Sequence, residues 1–205
     1  MTTGGYDDGY AAVPCFWGKE PGSLVKFFLS QHSVEGQDVL DLGCGEGKNA
    51  NAFAQAGAHA VAVDCSDDAI GNGKAAFSNA MIEWHLTDAQ SFASSQLDCT
   101  YDVVVVYGLL HCMDSESAAA LLVHEIKRVT KPRGTVIVVA FNNRSQDLSA
   151  HPGFDPLLLS HSWFLKAFED WQIEGATDTD LHETHPHNQI PHHHSLTRIV
   201  ARKPE

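Results

Sequence analysis

An acid and three alternating glycines, Asp41-Leu42-Gly43-Cys44-Gly45-Glu46-Gly47, form the stretch of this chain best suited to chemistry on a bound ligand. Glycine at every second position lets the backbone turn sharply and brings its N–H groups close to a ligand, because no Cβ stands in the way. Val39, Leu40 and Leu42 supply a buried strand before the turn, and Lys48-Asn49 opens a helix after it. A strand that feeds a helix through such a turn is the nucleotide-binding corner of an open α/β sheet. The spacing here is G-x-G-x-G. A dinucleotide turn needs G-x-G-x-x-G, and Lys48 stands where its third glycine belongs. A pyrophosphate site is therefore disfavoured. Asp41 and Glu46 would repel phosphate, whereas they suit a ligand that carries positive charge.

Other reactive residues follow in order. Asp64 ends the apolar run from His59, 19 residues after Gly45. A carboxylate at that strand tip can accept hydrogen bonds from ribose hydroxyls. The competing role is a helix cap, but Ser66 or Asp67 can serve there. His111 follows the valine run Val103–Val106. Six histidines and Glu183 crowd the segment from His182 to His194. If that segment is extended, His185 shares a face with His187, and His192 with His194. Pocket lining, a solvated loop and metal ligation all remain open for it.

The whole chain bounds these readings. Its 205 residues predict one domain, 1–205, with an N-terminal cap over 1–33 and a His-rich loop over 180–195. Acids outnumber Lys and Arg by 26 to 13, a formal charge of −13, which argues against nucleic-acid and anionic-membrane partners. The start of the chain is polar and acidic rather than a secretory signal, and no apolar run reaches a membrane span. Five scattered cysteines suit a reducing, cytoplasmic setting. A monomer or homodimer is expected.

The elements that must hold the reactive residues alternate between strand and helix. A helix is expected over Ser23–Gln31, a strand from Gln37, a helix over Asn49–Ala56 and a strand over His59–Asp64. A helix over Asp68–Asn79, a strand over Met81–Leu86 and a central strand over Tyr101–Gly108 come next. The helix from Ser115 to Thr130 is expected to turn Leu121, Leu122, Ile126 and Val129 inward. A fifth strand over Thr135–Phe141 leads to a long polar connection over Asn142–Leu159, of a length that usually carries function. A helix over Ser160–Glu169, a strand over Asp170–Thr177 and an edge strand over Ser195–Lys203 close the chain.

The run Asp41-Leu-Gly-Cys-Gly-Glu-Gly resembles motif I of the class I S-adenosylmethionine (SAM)-dependent methyltransferases. Asp64, Asp88-Ala89 and the strand end Tyr107-Gly-Leu-Leu-His111 follow in the family's order. The opening Phe16-Trp17-Gly18-Lys19-Glu20-Pro21 looks most like the small tellurite-resistance-type subgroup. The resemblance implies a Rossmann-like α/β sheet of seven strands, the last antiparallel, with helices on both faces. It implies SAM as cofactor, held by Asp41, Gly43, Cys44, Gly45, Asn49, Asp64, Cys65, Asp88, Ala89 and Tyr107. Asp88 would hold the adenine amino group, or else cap a helix. His111 and Tyr107 are the expected catalytic residues, His111 as a base or as a packing and orienting group. Tyr10, Trp17, His185, His192 and His194 are expected around a small-molecule acceptor. No resident metal is expected. The alternative is a metal-handling protein that uses the His-rich segment on the same fold. If the histidines line the pocket, activity on a neutral acceptor should fall below about pH 6.5, where free imidazole charges.

Overall fold

The computed structural model describes residues 6–78, 82–151, 153–184 and 189–205. Seven strands form one sheet: β1 (Asp38–Leu42), β2 (His59–Asp64), β3 (Ile82–Leu86), β4 (Tyr101–Tyr107), β5 (Thr130–Gln146), β6 (Gln172–Glu183) and β7 (His192–Arg202). Their spatial order is β3-β2-β1-β4-β5-β7-β6. The first five run parallel, and β7 lies antiparallel between β5 and β6. The chain order reverses between β1 and β4, so a crevice opens at the carboxyl ends of those two strands.

Helices cover both faces: α1 (Asp7–Ala12), α2 (Ser23–Gln31), α3 (Lys48–Gln55), α4 (Asp67–Ala76), α5 (Ala89–Ser95), α6 (Glu116–Val129) and α7 (His161–Ala167). The valines of β4 explain why. Val103 and Val105 pack with Val39 and Ile137 against Val25 and Phe28 of α2 and Phe53 of α3. Val104 and Val106 point the other way, into a cluster with Leu40, Leu42, Leu122, Ile126 and Phe164. Residues that alternate in a strand face opposite sides, so a continuous valine run demands cover on both. Each such side chain contributes about 1.5–3 kcal/mol when fully buried, enough to fix β4 at the centre.

Helix starts follow local chemistry. Ser66, Ser115 and Ser160 each accept a backbone N–H three residues on, capping α4, α6 and α7. Glu116 in the first turn of α6 and Lys127 and Arg128 in its last turn complement the helix dipole.

Several expectations need correction. Leu121 is 61% exposed, because the inward stripe of α6 runs through Ala119, Leu122, Val123, Ile126 and Val129. The short helix α5 was not foreseen. The final strand is interior rather than an edge, since β6 pairs along its outer side. The expected loop over 180–195 is largely strand: His182 pairs with His193, Glu183 with His192 and Leu181 with His194. His185 and His187 lie outside the described residues. Among the described residues no helix is long and apolar enough to cross a membrane.

Candidate active site

The glycine turn sits where β1 ends. Gly43, Gly45 and Gly47 all have positive φ, the last serving as the cap residue of α3. A Cβ at Gly43 would come within 2.8 Å of Leu109, and one at Gly45 within 2.8 Å of the Tyr10 hydroxyl. At these two positions both the backbone conformation and the space require glycine.

Acids hold the turn from beneath and from the side. Asp41 is buried, and its Oδ2 accepts the Ala50 N–H at 3.0 Å. Its Oδ1 has no hydrogen-bond partner among the described residues. Burial pushes its pKa up to about 7, with the Ala50 bond opposing. Asp64, at the tip of β2, accepts the Gly45 N–H at 2.8 Å through Oδ2 and the Ser66 N–H at 2.9 Å through Oδ1. Burial raises its pKa too, against those backbone bonds. Glu46 accepts the Cys15 N–H at 2.6 Å and so ties the N-terminal cap to the turn. Asn49 does the same with the Gly22 N–H at 2.8 Å.

Above the turn lies a cavity of about 240 Å³. Its near end is walled by Gly43, Cys44, Gly45, Val63, Asp64, Cys65 and Ala89. Its far end is aromatic, with Tyr6, Trp17, His111, Phe141 and His151. Tyr10 lies between, its hydroxyl accepting the Trp17 indole N–H at 3.1 Å. Lys48 and Glu183 also reach the cavity. The Lys48 ammonium donates to the Trp17 carbonyl at 3.0 Å, and burial lowers its pKa.

The structure therefore gathers most of the residues singled out from sequence: Gly43, Cys44, Gly45, Asn49, Asp64, Cys65, Ala89, Tyr107, His111, Tyr10 and Trp17 all line one cavity. It sets Asp41, Asp88, His192 and His194 outside that lining and ties up the Tyr107 hydroxyl. Asp41 lies beneath the turn and does not line the cavity. Asp88 caps α5, its Oδ1 accepting the Ser91 N–H at 2.9 Å, while the neighbouring Ala89 forms the wall. The Tyr107 hydroxyl is hydrogen-bonded to Ser23, and its ring fills the space a Cβ on Gly22 would occupy. His192 and His194 are buried one layer behind the wall, His194 stacked on Phe141 at 4.1 Å.

His111 is not arranged as a base. Its Nδ1 accepts the Phe141 N–H at 3.1 Å, so in the neutral ring Nε2 carries the proton. Its ring stacks on the opposite side of Phe141 at 4.1 Å. Burial, with His194 and His151 nearby, pulls its pKa down to about 3. His111 therefore stays neutral across the physiological range and offers a hydrogen-bond donor. It cannot supply the expected loss of activity below about pH 6.5.

Sequence reasoning missed His151, Tyr6 and Phe141. His151 stood in the long connection after the fifth strand, and only the length of that connection marked it. Nothing local pointed to Phe141, which becomes a wall because β5 runs on past the sheet's parallel core.

Residues 39–134 match the methyltransferase domain family. A ubiquinone biosynthesis O-methyltransferase of Methylococcus capsulatus is 31% identical over 121 residues, 58% of this chain and 49% of its own length. The chain thus spans about half the length of the curated relatives it matches. The crystal structure of TehB from Haemophilus influenzae shares the fold, with a TM-score of 0.71 at 20% identity over 89% of this chain and 62% of its own. So does the 1,6-didemethyltoxoflavin-N1-methyltransferase of Burkholderia thailandensis, solved with its acceptor and S-adenosylhomocysteine, with a TM-score of 0.63 at 15% identity over 89% of this chain and 78% of its own. Sheet order, glycine turn and family match together give the Rossmann-like methyltransferase fold. Residues 39–134 are thus similar to the methyltransferase domain family, and the chain shares the fold of solved SAM-dependent methyltransferases.

Proposed function

We propose that this chain, as one domain, binds SAM at the glycine turn and methylates a small planar acceptor held at the aromatic end of the cavity. SAM supplies a methyl group already activated on a sulfonium. The observation that carries the reading is the Asp64 carboxylate facing the cavity beside Gly45. Each of its oxygens accepts one backbone N–H, and a carboxylate has about four acceptor positions, which leaves capacity for ribose hydroxyls. Cavity acids Asp64, Glu46 and Glu183 suit a cofactor with sulfonium and ammonium charges.

The residues divide the remaining work. Gly43 and Gly45 bring backbone close to the cofactor, while Ala89 and Val63 give a flat apolar wall. Asp41 keeps the turn in place through Ala50. Tyr6, Trp17, Phe141 and His151 present ring faces and edges to the acceptor. A planar acceptor held by rings gains alignment for in-line displacement, and alignment is the main need when the donor is already activated. The His111 Nε2–H can orient an acceptor oxygen or nitrogen. The name of the Methylococcus relative, a quinone-pathway O-methyltransferase, supports a phenolic oxygen as the nucleophile.

Calorimetry tests the cofactor: SAM and S-adenosylhomocysteine bind, and NAD does not. A screen of hydroquinones, catechols, aromatic thiols and oxyanions, read as S-adenosylhomocysteine formed, tests the acceptor. NAD binding without SAM binding would sink the reading.

A further inference from the structure

Behind the aromatic end of the cavity, three buried imidazoles converge. His151 Nε2 lies 3.3 Å from His192 Nε2 and 3.3 Å from His194 Nε2. The ligand atoms of all three lie within 4.8 Å of one another. His192 and His194 face the same way because they are alternate residues of β7. His151 reaches them from the connection after β5. Glu183, paired with His192 across the sheet, holds its Oε1 3.8 Å from His192 Nε2 and 4.0 Å from His194 Nε2.

The hydrogen bonds behind two of the rings fix their tautomers. His192 Nδ1 lies 2.8 Å from the Ile190 carbonyl oxygen, which can only accept, so Nδ1 carries the proton. His194 Nδ1 lies 2.9 Å from Gln146 Oε1. The orientation of that amide is itself fixed, because its Nε2 donates to the carbonyls of Asn142 at 2.7 Å and Ser195 at 2.9 Å. His194 Nδ1 must therefore donate as well. Both rings turn Nε2 lone pairs toward His151. Metal-binding histidines show this arrangement, with the outer N–H given to a carbonyl and the inner nitrogen aimed at the ion.

The spacing agrees. Nitrogens about 2.0–2.1 Å from a tetrahedral zinc ion are about 3.3–3.4 Å from each other. The two measured separations of 3.3 Å fall on that edge. The geometry points to a divalent transition-metal site of the zinc type, ligated by Nε2 of His151, His192 and His194, with Glu183 flanking its fourth position. Three neutral imidazoles suit zinc and its first-row neighbours over magnesium or calcium, which prefer oxygen. His151 and Glu183 also line the cavity, so the fourth position faces the acceptor end. On the methyltransferase reading above, that position takes an acceptor oxygen or sulfur. A bound ion lowers the pKa of such a group, the service that a proton-bearing His111 Nε2 does not provide.

The test uses the purified full chain. After dialysis against a chelator it is titrated with Zn²⁺ by calorimetry and with Co²⁺ by visible absorption. One ion per chain is expected, with the strong visible bands of four-coordinate Co²⁺. His151→Ala should lose both signals while keeping SAM affinity, which also reports that the variant is folded. Gln146→Leu, which frees His194 to rotate, should weaken the ion by about 10–100-fold. The pair His182→Gln and His193→Gln, on the opposite face of the same hairpin, should leave binding unchanged. Equal Zn²⁺ affinity in the wild type and His151→Ala, or loss of the ion in the His182/His193 variant, would overturn the site. SAM titration run separately keeps the two proposals apart: a chain that binds one ion but no SAM upholds the metal site and overturns the methyltransferase reading.

Discussion

The two ends of the cavity are built by different means. At the glycine turn, the two carboxylates bind backbone close in sequence, Asp41 to Ala50 at a separation of 9 and Asp64 to Gly45 at 19, while the ties from the N-terminal cap reach further. At the histidine end, the Nε2 contacts join His151 to His192 and His194 at separations of 41 and 43. One end is a strand, a turn and a helix that carry their own instructions. The other exists only once β5, β6 and β7 are paired in register. On the function proposed above, the near end is suited to a fixed task, cofactor binding, and the far end to one that varies with the acceptor.

Substitutions can break that division. The largest effect is expected at Asp64→Ala, which removes a charge-assisted acceptor and should weaken SAM binding by about 1.5–3 kcal/mol. Calorimetry should show this with Zn²⁺ binding intact, whereas unchanged SAM affinity with early melting would make Asp64 purely structural. At the far end, Phe141→Leu removes the ring sandwiched between His111 and His194. Aromatic pairs are worth about 0.5–1.5 kcal/mol each, so stability should fall by about 1–3 kcal/mol. Turnover should fall with it while SAM affinity stays near wild type. An equal loss of SAM affinity would mean the two ends are not separable.

Asp41 sharpens the comparison through pH. Its folded pKa of about 7 stands above its ordinary value of 3.8. A carboxyl shifted upward stabilises the fold fully below pH 3.8, and that contribution is lost as pH rises to about 7. Asp41→Asn should still accept the Ala50 N–H but cannot ionise. Between about pH 4 and 7 the wild type should lose stability relative to Asp41→Asn, and denaturant unfolding across that range reads the difference. Parallel curves would mean Asp41 ionises in the fold without cost. The smallest effect is expected at Leu121→Gln, within about 0.5 kcal/mol, because the side chain faces solvent. A larger loss in thermal unfolding would restore the inward position its sequence pattern suggested.

What the sequence determined by itself was whatever depends on neighbours along the chain. Glycines at Gly43, Gly45 and Gly47 need no partner to demand a turn with positive φ, and the valines of β4 need none to demand burial on both faces. The position of Asp64 at a strand tip followed from the same local pattern, whereas the seven-stranded sheet was implied by the resemblance to the methyltransferases. Leu121 was misplaced because periodicity fixes the stripe of a helix but not its rotation against the sheet. The tautomer of His111 could not be read either, since it is set by the Phe141 N–H from another strand. The histidine cluster shows the limit most plainly. Alternation along an extended segment put His192 and His194 on one face, yet only the register of β7 against β6 and β5 brought Glu183 and Gln146 beside them. Only the path of the connection after β5 brought His151. Three imidazole nitrogens meeting at one point are a property of folded distances, and residue spacing along a chain does not contain them.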